Sequence, residues 1–434
     1  MILKVSFALA ETELFNSNGF STTFSFEASV YAIQADDVNF GSGQFDIISE
    51  ETRSSSITTF EAYIKPVLES QYISENTGTF YAGLGIVAGL ARGEGDPGGF
   101  VTGNEEDVST EYLFAGWRSG SLPGSSEDLI DLSFGRQEFQ IGDGFLIWDG
   151  NLDQFEKGNY WTTPRNSFEN TAILRINSGP LRADIFYLTT DKDQDNTELI
   201  GFNLEKTNEE SGSTGFSLMQ IIDSDERDYV RDGMSIVSLR SQGNPFEKTP
   251  DLFLAGEYVR QSGGDETNIS ADGWYAEAAY TFSDISWSPT LSYRYSHFSG
   301  DNPDTDKYEG FDPLFYGFSR GWGSWFQGEI VGEYLLFNSN QRTHMLQLSV
   351  EPTESMGGGL IYFQFDLDEK NYYGEPVSDR TFADEINLYV DWAPNDYLEV
   401  GALYGIAIPK EAAKTALGGN EAFQIIEIYT TFYF

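Results

Sequence analysis

The feature that most constrains this chain is its final run, residues 423–434, which reads F-Q-I-I-E-I-Y-T-T-F-Y-F. Ile426, Ile428, Phe432 and Phe434 fall on one face, while Ile425, Glu427, Tyr429, Thr431 and Tyr433 fall on the other. That period of two marks a β-strand, long for an edge and aromatic on both faces. A soluble protein blunts such a strand, because an open edge templates pairing with other chains. A barrel closed in a membrane needs it: the last strand must meet the first, and lipid accepts the apolar face. The closing strand of a soluble β-sandwich is the alternative these residues leave open.

The rest of the composition favours the barrel. Mean hydropathy is −0.35, and no stretch approaches the ~20 apolar residues of a spanning helix. A barrel is compatible with that, since its lumen face and loops dilute the hydropathy. The 24 Tyr and 34 Phe suit interfacial girdles, and the 45 glycines suit turns and crowded lumen positions. With no cysteine and only His297 and His344, disulfides, thiolate chemistry and His-rich metal sites are excluded. The net charge of −44 makes nucleic acid a poor partner. The acids gather in polar, turn-rich segments such as 191–198 and 223–232, which read as solvated loops.

Alternating runs recur about every two dozen residues, and eighteen can be placed between residues 20 and 434. The links alternate between short (178–180, 283–287, 351–356, 393–396) and long, and the long ones are acidic. An even strand number puts both termini in the periplasm, with the short turns beside them and the long loops outside. The expected fold is therefore all-β, a transmembrane antiparallel up-and-down β-barrel of about 18 strands. Residues 1–18 read either as a signal remnant, ending A-L-A at Ala8–Ala10, or as a periplasmic lead-in. Residues 19–434 form the single barrel domain, with the loop 299–340 expected to be extracellular. In one strand Ile361, Phe363, Phe365 and Leu367 alternate with Tyr362, Gln364, Asp366 and Asp368. The apolar set is expected to face lipid and the polar set a hydrated lumen, because burying unpaired polar groups costs a few kcal/mol each, roughly.

From Phe134 onward the sequence resembles the alginate-export family of outer-membrane porins. The resemblance rests on Gly135-Arg136-Gln137-Glu138, the turn Ile141-Gly142-Asp143-Gly144, and the strand Leu181-Arg182-Ala183-Asp184-Ile185-Phe186-Tyr187. It continues in Ser299-Gly300-Asp301 with Pro303 and Asp304, in Phe311-Asp312-Pro313-Leu314, and in the last three strands. The terminal Phe, with an aromatic two residues before it, is similar to the assembly signal of outer-membrane proteins. The family implies an eighteen-strand barrel in a Gram-negative outer membrane and passage of an anionic polysaccharide such as alginate past basic residues at a narrowing. The chain departs from it in having few lysines and arginines.

Arg118, Arg175, Arg182, Arg240 and Arg294 are placed inward by alternation. Arg136 belongs to the family motif; simple alternation turns it toward lipid, but a bulge at Gly135 is expected to reverse that and place it inward with the others. Guanidinium groups can hold carboxylates in bidentate fashion and hand them along a pore. The competing role is structural, with the arginines paired to Asp131, Asp184, Glu257 or Glu277 to hold the barrel round. Asp191, Asp193 and Asp195, with Glu198, have a spacing suited to calcium, although a solvated charge run explains them more simply. Trp148, Trp161, Trp322 and Trp325 lie in long loops, where they can stack on sugar rings or anchor the protein at an interface.

The reading is a monomeric, non-enzymatic channel for an anionic polysaccharide or oligosaccharide, with no cofactor. Its partners are outer-membrane lipid, lipopolysaccharide and the assembly machinery that reads the last strand. A less selective, cation-preferring porin is the alternative, given the acidity. A lipid-hydrolysing barrel in which His297 activates Ser299 is the third reading.

Overall fold

The computed structural model describes residues 11–46, 51–121, 127–151, 155–208, 211–225, 230–265, 267–317, 321–322 and 327–434. Eighteen strands form the wall. The first six are β1 (Phe20–Asp36), β2 (Ser56–Ser74), β3 (Gly78–Gly93), β4 (Glu106–Arg118), β5 (Ile130–Gln137) and β6 (Phe168–Ser178). Then come β7 (Leu181–Thr189), β8 (Glu198–Asn208), β9 (Gly212–Asp223), β10 (Met234–Gly243), β11 (Leu252–Gly263) and β12 (Ile269–Thr281). The last six are β13 (Thr290–Phe298), β14 (Gln341–Thr353), β15 (Met356–Leu367), β16 (Thr381–Asn395), β17 (Leu398–Pro409) and β18 (Phe423–Tyr433). Each pairs antiparallel with its neighbours in sequence, and β18 pairs with both β17 and β1, so the ring is closed.

The seam lies where the sequence placed it. Glu27 to Asp36 pair with Tyr433 to Gln424, and Phe434 exchanges backbone hydrogen bonds with Phe26 at 2.7 and 2.8 Å. Below that point the strand Thr12–Ser17 doubles back and pairs with Phe20 to Phe24, prolonging the same edge. The lead-in thus contributes one short hairpin; residues 1–10 lie outside the described residues.

The outer surface carries the apolar rows a bilayer requires. Leu346, Leu360, Ile386, Ile408, Ile426 and Ile428 all stand exposed on it. Toward the periplasmic turns Trp287, Trp392, Tyr397 and Phe434 make an aromatic girdle. The strands extend past the apolar belt; β12 begins at Ile269, and its upper end, with Ser270 and Asp272, is polar.

The face expected for β15 is inverted. Ile361, Phe363, Phe365 and Leu367 are each 0% exposed and point inward, while Tyr362, Gln364 and Asp366 are on the outer face. Their partners are Ile330, Val331, Leu335 and Leu336 from the long loop between β13 and β14. Full burial of such side chains stabilises by about 1.5–3 kcal/mol each, so an apolar insert makes an apolar lumen wall favourable. The loop 299–340 emerges on the extracellular side as expected, but it does not stay outside. A wide, single π-type helix, Gly328–Leu336, sits wholly buried within the barrel. A second inward loop follows β5 and fills the opposite side, where Phe139, Ile141, Phe145, Leu146 and Ile147 join Phe311, Leu314 and Phe315 in a separate apolar cluster.

Candidate functional site: the lumen and its two inward loops

The two inward loops are fastened to the wall by buried carboxylates. Glu385 on β16 accepts the backbone N–H groups of Glu329 (2.8 Å), Ile330 (3.1 Å) and Val331 (2.8 Å), closing the N-terminus of the inserted helix. Gly328 makes that approach feasible: its φ is +103°, and a Cβ there would lie 2.8 Å from the Glu385 carboxylate. On β2, Glu61 accepts the N–H groups of Tyr160 (2.7 Å), Trp161 (3.1 Å) and Thr162 (3.1 Å). On β4, Glu111 takes those of Asn166 and Ser167, both at 3.0 Å. Successive N–H groups form small anion-binding concavities, and a carboxylate that fills one satisfies donors that burial would otherwise strand.

The loops are also joined to each other. Trp148 N–H donates to Phe315 O (2.8 Å), Phe315 N–H to Leu146 O (2.9 Å), and Gly317 N–H to Gly144 O (3.1 Å). Asp312 anchors this junction through a two-point pair with Arg231, at 2.7 Å to Nε and 3.1 Å from Nη2. Gln261 adds a bond in each direction with the Asp312 backbone, at 2.6 and 3.0 Å. The motifs at residues 141–144 and 311–314 that carry the family resemblance are therefore the parts that hold the lumen filled.

Between the inserted helix and the wall of β1 and β14–β18 runs a cavity of about 1290 Å³. It is bounded above by Asp301, Tyr372 and Tyr373 of the outer loops and below by Ser355 and Ala393 of the periplasmic turns. Among the described residues its lining has eight carboxylates (Asp149, Asp195, Asp301, Glu329, Glu333, Glu351, Asp391, Glu399) against one guanidinium, Arg231. The remaining character is aromatic. Outside the spanning strands, Asp96 and Asp368 have displaced proton affinities. Burial raises the Asp96 carboxyl to about 7, against the pull of the Val101, Phe100 and Gly98 N–H groups. Burial acts the same way on Asp368, but hydrogen bonds from His297, Gly300 N–H and Arg342 hold it down at about 2.

None of the ten residues expected at the pore lines this cavity. Arg175 and Arg182 do point inward, and they share Asp184 at 2.9 and 3.0 Å. Arg240 reaches Glu205 (3.0 Å), Asn203 (2.6 Å) and Ser217 (2.9 Å), and stands opposite Glu257 across the ladder. Arg294, almost fully buried, lies 3.8 Å from Glu277 and donates to Gln327 at 3.2 Å. Arg118 sits 4.5 Å above the Tyr81 ring, whose hydroxyl donates to Asp131. Arg240 lies against Gly142 of the loop after β5 and Arg294 against Gln327 of the loop after β13, whereas Arg175 and Arg182 keep about a third of their side chains exposed. Gly135 does carry a positive φ of 114° and the β5–β6 register breaks there, yet Arg136 pairs opposite the outward-facing Leu113, so the bulge does not turn it into the channel.

The other expectations are also corrected by geometry. His297 faces outward and bonds Asp368 at 3.1 Å, while the Ser299 hydroxyl donates to Glu309 O at 2.7 Å and accepts from Asp272 N–H at 3.0 Å. The two side chains do not form a nucleophile–base pair. Asp191 is paired with Lys157 and Asp195 with Arg231, the side chain of Asp193 lies outside the described residues, and no acidic or histidine group among the described residues is arranged for a metal ion. Trp161 and Trp322 line the cavity; Trp148 does not, and Trp325 lies outside the described residues. Glu61, Glu111 and Glu385 were missed by sequence reasoning, although each is an acid at an inward position of its strand.

The profile of the family described as alginate export matches residues 114–400, more than half of the chain. Among solved structures, OprD from Pseudomonas aeruginosa is similar, with a TM-score of 0.59 and 12% identity over 97% of this chain and 96% of that porin. P. aeruginosa OccK2 (OpdF), crystallised in complex with glucuronate, gives 0.57 and 11% over 95% and 97%. OccAB2 from Acinetobacter baumannii gives 0.56 and 10% over 95% and 98%. At such identities the likeness is one of fold. No curated protein matches the chain. The closed eighteen-strand wall, the apolar outer belt and the profile match agree: this is a Gram-negative outer-membrane channel, and the chain belongs to the alginate-export family.

Proposed function

We propose that the channel passes polar solutes and favours neutral and cationic species over anionic ones. The charge of the cavity lining carries this reading: eight carboxylates against one arginine that is itself paired to Asp312. Field at a narrowing is set by the nearest charges, because those more than about 8 Å away are screened at physiological salt. The wall arginines on the other side of the barrel end on carboxylates within 4 Å, so little of their field reaches the channel. A second reading keeps the anionic polysaccharide. The family description supports it, as does the likeness to a porin that holds glucuronate. So does the sharing of one Asp184 between Arg175 and Arg182, each about one-third exposed. Reversal potentials of the purified channel in a salt gradient decide between them. Cation preference with no block by uronic-acid oligomers is expected; anion preference with block by those oligomers would reinstate the polysaccharide.

A further inference from the structure

Seven of the aromatic side chains lining the cavity form one unbroken series. Phe100, on an extracellular loop, lies 5.6 Å from Tyr160 with the rings nearly parallel (4°). Tyr160 abuts Trp161 at 5.5 Å edge-on, and Trp161 lies 6.4 Å from Tyr31 at an interplanar angle of 10°. Tyr31 is parallel to Tyr429 at 5.6 Å and 11°. Trp322 then follows at 5.8 Å from Tyr429 and 6.3 Å from Tyr389. The series descends from the outer loops to the lower halves of β16 and β18.

The polar edges of these rings are tied to the wall and to the inserted helix. Tyr31 donates to Glu427 (3.0 Å), Trp161 Nε1 to the Tyr334 hydroxyl, and Trp322 Nε1 to Asp391 (2.8 Å). Tyr429 donates to Glu399 (2.8 Å), and the Tyr389 hydroxyl accepts from Gln347 (2.9 Å). Rings held by their edges are fixed in orientation; Tyr160, Trp161, Trp322, Tyr389 and Tyr429 keep part of their surface open to the cavity, whereas Tyr31 is nearly covered by its neighbours. A π-face is negative and takes up polarised C–H groups. The ligand it suits in water is one with a C–H face and a rim of hydroxyls, and the adjacent carboxylates can accept from that rim.

We infer that this aromatic series is a binding track for linear, uncharged oligosaccharides, which move along it ring by ring. The inference rests on the channel reading above and names its solute, but it does not depend on ion selectivity, because the ligand carries no charge. Packing alone would also bury aromatics here, and the two roles differ in what a soluble sugar does to the pore.

The test is current through single channels in planar bilayers with maltohexaose or cellohexaose added. Both sugars are expected to interrupt the wild-type current reversibly. Trp161→Ala and Trp322→Ala should each raise the half-blocking concentration about tenfold, the worth of one good stacking contact. Trp161→Phe, which keeps a ring, should retain most of the block, and Trp287→Ala on the lipid side should leave it intact. Resistance of the folded variants to detergent denaturation in the cold verifies that the barrel is intact. Absence of block by either sugar in the wild type, or unaltered block in both alanine variants, would overturn the track. Either result can occur with cation preference present or absent, so it separates this inference from the selectivity reading.

Discussion

On the wall built by β6, β7, β10 and β13, inward guanidinium groups end on carboxylates and a loop amide, outside the cavity lining. On the wall built by β1, β14, β16 and β18, inward rings and acids face open cavity. Both walls obey the same alternation. Pointing inward is a property of the strand, whereas lining a channel depends on where the loops lie. The charge that a solute meets is therefore chosen by two insertions, held in place by Arg231, Glu61, Glu111 and Glu385.

The comparison is broken most forcefully at Arg231. It and Asp312 are each about 2% exposed, so Arg231→Met leaves a buried charge without its partner. Losing one member of a buried pair costs about 3–5 kcal/mol. Denaturant titration should show that loss, and bilayer conductance should rise as the loop junction leaves the lumen. Unchanged conductance would mean that the fastening lies elsewhere.

A smaller effect sharpens the contrast between the walls. Asp391→Asn combined with Glu399→Gln removes two lining charges, each worth about 1 kcal/mol at 4 Å in water. Cation preference should fall severalfold in reversal potentials. Arg175→Gln combined with Arg182→Gln, outside the cavity lining, should leave it nearly unaltered; a larger shift from the arginine pair would reverse the assignment of the two walls.

The smallest effect is expected at Asp96, beside Phe100 at the head of the channel. Its carboxyl titrates at about 7 when folded, above the ordinary carboxylate range, because it is buried. The folded loop thus binds the proton more tightly than the unfolded one. Its contribution to stability is full below about pH 4 and is lost as pH rises through 7. Amide hydrogen exchange at residues 98–101, corrected for the intrinsic rate, should quicken between pH 5 and 8, and Asp96→Asn should abolish the change.

Much of the barrel was legible because lipid and strand geometry act locally. The period of two in β18, the short turn at Gly179 and the parity of Arg175 and Arg294 need no knowledge of distant residues. Ile361, Phe363, Phe365 and Leu367 show where that ends. Four apolar side chains on one face fit lipid or an apolar insert equally well, and only the path of residues 328–336 decides between them. Arg136 failed differently: the bulge was foreseen at Gly135, but the ladder to β4 fixes the facing of the next residue. The channel lining was the least legible part, since it joins residues from β1, β2, β14–β18 and several loops that alternation does not connect.

The seam between β1 and β18 has a kinetic consequence. Nearly every other pairing in the wall links neighbours in sequence, but Ser29 and Thr431, whose hydroxyls meet at 2.9 Å, are 402 residues apart. Contacts of such separation form late, because their loop-closure entropy is the largest and no intermediate pairing reduces it until the sheet has curled. Until β18 arrives, the edge from Phe26 to Asp36 has open backbone donors and acceptors on one side. The strand at Thr12–Ser17 covers only Phe20 to Phe24 before that edge, leaving all of it for the final strand to zip. Closure, rather than strand formation, is then the slow event in making this barrel, and the unpaired β1 edge is the surface that must be shielded while it waits.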